Sequence, residues 1–228
     1  MLVLALDTTT RSGSAAVVRD GVLVGEIVGD GSRTHGERLP LDLMRVLDAA
    51  SVPLGAIDLL AVAAGPGSFT GLRVGIAAMQ GLAMSIDRKI VAISALDALA
   101  IAGADGTAPV ATWIDAQRGE VFAALYDASG TLVLEDPSSL SPVRTLDAWG
   151  HTPPSGALRF IGDGAARYEA TIRERRGPSA QILPAPPLAG IIGRLAAAAP
   201  SRAVLPHAVV PIYIRRPDAE LARSRQSE

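Results

Sequence analysis

The apolar positions of the chain fall into short runs whose period changes along its length. Leu2–Leu6 is a continuous apolar run closed by Asp7-Thr8-Thr9-Thr10, which predicts a short buried strand ending in a polar turn. Two further runs, Ser14–Arg19 and Val22–Val28, are joined by Asp20-Gly21, a pair that tolerates positive φ and predicts a hairpin. From Gly36 to Ala50 the period becomes helical: Leu39, Leu43, Val46, Leu47 and Ala50 share one face, and Pro40 is acceptable only in the first turn. Leu41 and Met44 project to the opposite side. Ile57–Ala64 reads as a buried strand, Leu72–Ser85 as a helix and Ile90–Ile93 as a strand, and Ser94 with Asp97 predicts a capped start for a helix through Ala102.

After a loop at Gly103–Thr107 the pattern begins again. Thr112-Trp113-Ile114-Asp115 matches Leu4-Ala5-Leu6-Asp7, and Val121–Tyr126, the turn at Ser129-Gly130 and Leu132–Leu134 match the first hairpin. This predicts an internal duplication of a βββαβα unit, residues 1–104 forming one subdomain and 105–228 a degenerate second. In the second copy Pro137–Pro154 reads as loop-rich, Arg159–Ile161 as a strand, Gly162-Asp163-Gly164 as a turn and Ala165–Arg175 as one helix. Pro184, Pro186 and Pro187 lead into a last helix, Leu188–Ala199, and the charged tail Arg215–Glu228 is expected to fray. Two such units, each opening with a strand that ends in Asp, resemble the actin, hexokinase and Hsp70 superfamily. The expected class is therefore α/β with an actin-like, ribonuclease-H-like fold.

Composition narrows the chemistry. The 228 residues are 49% hydrophobic, ample for a core, and contain no cysteine, which excludes disulfides, cysteine nucleophiles and thiolate metal sites. A formal net charge of -2 leaves no global positive field for autonomous binding to nucleic acid. The first residues lack a basic segment and Asp7 interrupts their apolar run, so neither signal peptide nor membrane span is expected and the cytoplasm is the expected location. Among His35, His151 and His207 no two are within helical reach, so no helix can present two imidazoles and no metal site is expected. His35, beside a helix start, reads as a cap or surface residue rather than a ligand.

The stretch Ala64-Gly65-Pro66-Gly67-Ser68-Phe69-Thr70-Gly71-Leu72-Arg73 is a glycine-rich turn between strand and helix. It is no Walker A loop, because Leu72 follows Gly71 where lysine is required, and its glycine spacing misses the dinucleotide fingerprint by one residue. Special backbone angles and close helix-to-strand packing are favoured over anion binding at Gly65, Gly67 and Gly71. Asp7 with Thr8, Thr9 and Thr10, facing Asp115, is the candidate nucleotide site, since a carboxylate can hold hydrated magnesium while hydroxyls and N–H groups hold phosphate. The alternative is that Asp7 ends a strand and caps a turn. Gly162 and Gly164 faintly resemble the superfamily's adenosine-binding glycines, and Ala116-Gln117-Arg118 lacks the small hydroxyl residues of the first copy. Weak or vestigial binding of ATP or ADP with magnesium is thus favoured over turnover. Arg173, Arg175 and Arg176 read as a solvated helix end rather than an RNA site. Leu41 and Met44, with Gly71, Gly75 and Ala78 at spacings that permit close helix approach, suggest a helix-pair docking surface, unless these helices only pack on each other and on the sheet.

The glycine-rich decapeptide closely resembles the signature of the TsaB (YeaZ) family. Asp7-Thr8-Thr9-Thr10 resembles the family's opening Asp-Thr-Ser-Thr, His35-Gly36-Glu37 its His-Ser-Glu, Asp115–Val121 its second-half signature, and Pro211-Ile212-Tyr213-Ile214-Arg215 its C-terminal Pro-x-Tyr-Leu-Arg. The resemblance is dense from Leu2 to Ala100 and sporadic beyond. Gly36 stands where serine is usual, and Leu39 alone where the family has a double leucine. The resemblance implies a non-catalytic scaffold subunit of the complex that threonylcarbamoylates the tRNA adenosine next to the anticodon. Its implied partners are a metal-holding catalytic paralogue, TsaD, and a small ATPase, TsaE, with a homodimer when alone and tRNA reached through the complex. The alternative from another class is an autonomous ATP-dependent kinase or transferase. The missing metal ligands disfavour a metalloprotease.

Overall fold

The computed structural model describes residues 1–150 and 157–215; His151, Pro153, Pro154 and the tail beyond Arg215 lie outside the described residues. Strand β1 (Leu2–Asp7) pairs antiparallel with β2 (Ser14–Arg19). Asp20 and Gly21, at φ 50 and 78, turn the chain into β3 (Val22–Val28). Helix α1 (His35–Ala49) leads to β4 (Leu59–Gly65), which pairs parallel with β1, and α2 (Phe69–Ser85) leads to β5 (Ile90–Ser94). The sheet order is β3-β2-β1-β4-β5, so β1 and β4 are buried on both faces, which is why their sequences are unbroken apolar runs.

After α3 (Ala95–Gly103), the chain repeats this plan with β6 (Val110–Asp115), β7 (Val121–Tyr126), β8 (Val133–Leu140), α4 (Pro142–Ala148), β9 (Leu158–Ile161), α5 (Asp163–Arg167), α6 (Glu169–Arg176), β10 (Ala180–Leu183) and α7 (Ala189–Ala198). The second sheet runs β10-β9-β6-β7-β8, the same order with equivalent parallel and antiparallel pairings. The equivalent strands β4 and β9 end in the same uncommon backbone state, Gly65 at φ 121 and the adjoining Gly162 at φ 119. The duplication is therefore retained in geometry where the side chains have diverged.

Alternation distributes each sheet between two cores. Leu4, Leu6, Leu60 and Val62 point outward against α1 and α2, while Trp113, Phe160, Leu146 and Trp149 form the outer core of the second sheet. Between the sheets, α3 and α7 share one apolar cluster with Val3, Ala5 and Ala16 on one side and Val110, Ile114 and Tyr126 on the other. Helix α7 packs on β1 and β2 of the first sheet, and α3 packs on β6 of the second, so each half contributes a helix to the other. No helix among the described residues is long and apolar enough to cross a membrane.

Several local expectations need correction. Pro40 lies in the second turn of α1, because the helix begins at His35; Gly36, whose carbonyl loses its i+4 donor, is exposed. The stretch from Pro137 is mostly not loop. Pro137 sits in edge strand β8, where the register slips between the pairs Ala123↔Ser138 and Leu125↔Glu135, and Pro142 opens α4 behind the Ser141 cap. The single helix expected over Ala165–Arg175 is two, broken at Tyr168, and β10 forms without a long apolar run because it extends an existing parallel edge.

The two glycines Gly193 and Gly81 should respond oppositely to alanine. A Cβ on Gly193 of α7 would lie 2.7 Å from Val18 Cγ2, whereas one on Gly81 of α2 meets nothing within 4 Å. Urea unfolding should show Gly193→Ala losing about 1–3 kcal/mol through overpacking and Gly81→Ala gaining about 0.5–1 kcal/mol from helix propensity.

Candidate functional site

The turn after β1 is built on Asp7, which is only 3% exposed. Its Oδ1 accepts hydrogen bonds from Thr9 N at 2.8 Å and Thr9 Oγ1 at 2.6 Å. Thr8 is fully buried, and a Cβ on Gly75 of α2 would overlap its hydroxyl, which has no hydrogen-bond partner among the described residues. A Cβ on Gly71 would overlap the Thr8 carbonyl, one on Gly67 would lie 2.6 Å from Thr9 Cβ, and Ser68 N donates to Thr9 O at 2.8 Å. Gly67, Gly71 and Gly75 thus form one bare stripe that seats the start of α2 on Thr8–Thr9. Gly65 takes φ 121, and a Cβ there would meet Ile212 O at 2.6 Å.

A cleft of about 960 Å³ separates Thr9–Arg11, Ser32–Gly36 and Gly67–Gly71 from Asp115–Arg118, Phe122 and Asp163. A second cavity of about 490 Å³ shares several of these residues and reaches Asp7, Gly162 and Pro186–Leu188. The structure therefore brings Asp7, Thr9, Thr10, Asp115 and Gly162 around one interdomain cleft, while Thr8 turns away from it. The carboxylate that acts on Asp7 is Asp163 rather than Asp115. Burial pushes Asp7 above the ordinary carboxylate range, the two Thr9 hydrogen bonds pull it back, and the Asp163 charge adds to the rise. Asp163 is also raised, first by burial, and its Oδ1 accepts Asp115 N at 3.0 Å. Asp115 is held by Gln117 N at 3.0 Å, Gln117 Nε2 at 2.9 Å and the Arg167 guanidinium at 2.9 Å. Gly162 and Gly164 act as the first-half glycines do: side chains there would overlap the Trp113 carbonyl and crowd Ile114, so α5 can lie directly on β6.

These constraints bear on magnesium and phosphate. The Thr9 hydroxyl is engaged by Asp7, the Thr8 hydroxyl is packed against α2, and Asp115 is paired with Arg167. Of the candidate residues, Thr8, Thr9 and Asp115 are thus engaged within the chain, while Thr10 lines the cleft. Among the described residues no group of three His, Asp or Glu side chains could hold a metal ion.

His35 is neither a surface residue nor an ordinary cap. Its Nε2 lies 2.9 Å from the Thr10 carbonyl and its Nδ1 2.9 Å from Arg38 Nη2. Burial, then the Arg38 charge among its causes, lowers its pKa; the neutral tautomer donates from Nε2 to Thr10 and accepts from Arg38 at Nδ1. Arg38, 4% exposed, pairs with Asp42 one turn on and donates to the Ser12 carbonyl. This buried network pins α1 to the loop after β1. Sequence reading missed it because Arg38 and Asp42 look like a common exposed i,i+4 pair. Arg173 pairs with Glu169 at 2.6 Å, Arg175 with Asp147 at 2.8 Å, and Arg176 donates to Trp149 O at 3.1 Å, so the three arginines are engaged locally.

On the outer surface Leu41 and Met44 are 45% and 62% exposed. Gly75, expected on the same docking surface, is instead buried against Thr8, and Ala78 is half-buried in the outer core. The side of α2 that faces solvent carries Ala77, Gly81 and Met84.

Two five-stranded mixed sheets of one order, facing each other across a cleft at the ends of their first strands, define an actin-like protein. YeaZ from Pseudomonas aeruginosa has this fold with a TM-score of 0.74 at 30% identity, covering 93% of this chain and 99% of that one. The chain belongs to the TsaB (YeaZ) family. The Bacillus subtilis tRNA threonylcarbamoyladenosine biosynthesis protein TsaB is 28% identical over 228 residues, 96% of each chain. Its Escherichia coli namesake is 37% identical over 129 residues, 55% of each. The family model for TsaD, tRNA N6-adenosine threonylcarbamoyltransferase, matches residues 27–148.

Two outcomes follow for the turn. Gly71→Ala forces a Cβ onto a backbone carbonyl and should cost on the order of 2 kcal/mol or more by urea unfolding. Because the folded pKa of Asp7 is raised, the native state binds more protons than the unfolded chain, and its ionisation destabilises the fold as pH rises through the raised value. The stability of Asp7→Asn relative to wild type should therefore shift in the variant's favour as pH rises above the ordinary carboxylate range. A difference that stays flat would place Asp7 at an ordinary pKa.

Proposed function

We propose that this chain is the non-catalytic scaffold subunit of a tRNA threonylcarbamoyltransferase complex, acting on the tRNA adenosine next to the anticodon. It docks a TsaD-type catalytic paralogue through the outer face of α1 and α2. The observation that carries this reading is the exposure of Leu41, Met44 and Met84 on two neighbouring helices whose other faces are already committed to the core. Large apolar side chains in such positions belong at the centre of an interface, where a few anchors dominate binding. The match of the TsaD family model over residues 27–148 supports a pairing of like with like, in which the same two helices of a related fold meet. Two copies of the chain would pair through this face when the paralogue is absent.

The cleft argues against the kinase or transferase alternative, since the Thr9 hydroxyl is held by Asp7, Asp163 accepts the Asp115 amide and Asp115 is paired with Arg167. In the proposed complex a TsaE-type ATPase supplies nucleotide turnover, and tRNA is reached through the partners in the cytoplasm. The near-neutral overall charge agrees with that division of labour.

The test is Met44→Glu combined with Met84→Glu, checked first for an unchanged melting transition. Sedimentation should then show homodimer and heterodimer weakened by on the order of 2 kcal/mol or more. A folded double variant that associates normally and supports tRNA modification at wild-type rate overturns the assignment of this face.

A further inference from the structure

After α7 the chain returns to the first half and runs along it. Val204 exchanges two backbone hydrogen bonds with Ile90, at 3.0 and 2.9 Å, at the edge of the first sheet. The Gln80 amide of α2 donates to the carbonyls of Pro206 at 2.9 Å and Val209 at 3.1 Å. Ile212 N donates to Ala64 O at 2.7 Å, and the space left by the missing side chain of Gly65 admits the Ile212 carbonyl. The Tyr213 ring lies 5.5 Å from Phe69, and its hydroxyl accepts Arg73 Nε at 3.1 Å. Every one of these anchors belongs to the first half.

The next contact crosses the cleft. Arg215 Nη1 lies 3.0 Å from Glu120 Oε2, its Nη2 donates to Ala116 O at 3.2 Å, and its guanidinium carbon sits 5.9 Å from the Phe122 ring centre. Ala116 and Glu120 bound the β6–β7 turn on the opposite wall, and Tyr213 and Arg215 both line the cleft. The same Glu120 oxygen accepts Ser139 Oγ at 2.8 Å, which holds the carboxylate in place for the arginine. Two sequence signatures 95 positions apart, Asp115–Val121 and Pro211–Arg215, thus meet in one ion pair.

We propose that this C-terminal segment is a strap across the cleft and that the Arg215–Glu120 pair is its releasable catch, controlling how far the two halves open. The asymmetry of the anchors supports this. Toward the first half the strap holds by five backbone or amide hydrogen bonds and an aromatic contact. Toward the second its polar contacts come from one arginine, and the ion-paired side chains are 28% and 36% exposed, while Ile214 packs on the apolar cluster the halves share. A pair this accessible shifts an equilibrium by only about twofold to fivefold and is screened by salt. Such a catch opens and recloses while the strap stays on its own half, and this behaviour does not depend on the complex proposed above.

The chain has no cysteine, so spin labels can be placed at will. Thr70→Cys and Asp136→Cys are exposed, lie one in each half and avoid the catch. Pulsed electron–electron distance measurements on the full chain should show a closed-to-open ratio that falls about twofold to fivefold from low to high salt. Glu120→Arg and Arg215→Glu should each lengthen the distance and abolish the salt response, and the double swap should restore both. Hydrogen exchange at the Ile212 and Val204 amides should stay unchanged in the single variants, because the strap remains on its own half. Should a repulsive variant fold poorly, Arg215→Ala removes the pair without adding a like charge and is read the same way. Distances insensitive to salt, or unchanged in folded single variants, overturn the proposal.

Discussion

The absence of Cβ atoms along Gly67, Gly71 and Gly75 sets the rest of the structure in place. Backbone-to-backbone approach at this distance is open only to glycine, and it seats α2 directly on Thr8 and Thr9 at the end of β1. With α2 that close, the Thr8 hydroxyl is enclosed, and Thr9 closes onto Asp7. Just before the stripe, Gly65 leaves room for the Ile212 carbonyl, and the Ala64 carbonyl accepts the Ile212 amide, so the end of β4 also locates the C-terminal segment. The family's most distinctive peptide is, in this chain, a packing device.

The second half solves the same problem with other residues. Gly162 and Gly164 bring α5 onto the end of β6 as the first-half glycines bring α2 onto the end of β1, and Gly65 and Gly162 share a φ near 120. What has changed is the polar chemistry. The first turn closes on itself through Asp7 and Thr9, whereas the second is held by Asp115, Gln117, Asp163 and Arg167 in a network of charges. Burial raises Asp7 and Asp163 above the ordinary carboxylate range, and Asp115 is paired with Arg167. The exchange of α3 and α7 between the sheets gives both halves one shared apolar core.

Helix α1 carries two opposite demands. Leu39, Leu43, Val46 and Leu47 supply the outer core, and Arg38 with Asp42 and His35 ties the helix to the loop that leaves β1. Its remaining face, with Leu41 and Met44, is left exposed by the described residues. A partner docking there would bear on a helix whose other side is hydrogen-bonded to the wall of the cleft.

Much was determined by the sequence alone, because the governing signals are local. The buried runs of β1 and β4, the Asp20-Gly21 hairpin, the helical period of α1, the Ser94 cap and the Asp-ended repeat follow from side-chain period and backbone preference. The duplication, the actin-like class and the family followed from these and from the glycine-rich peptide. Other features depended on atoms distant in the chain, and only the tertiary structure decided them. Pro137 is admitted to a strand because β8 is an edge with a slipped register, and β10 forms because β9 is there to pair with. Gly75 turned inward because Thr8 lies against it, and Asp163 rather than Asp115 became the neighbour that acts on Asp7 because a turn 48 residues after Asp115 folds over it. Arg38 is buried, and Arg215 reaches Glu120, for the same reason: a side chain's partner is set by what the fold brings within about 3 Å, and residue type and spacing along the chain cannot specify that.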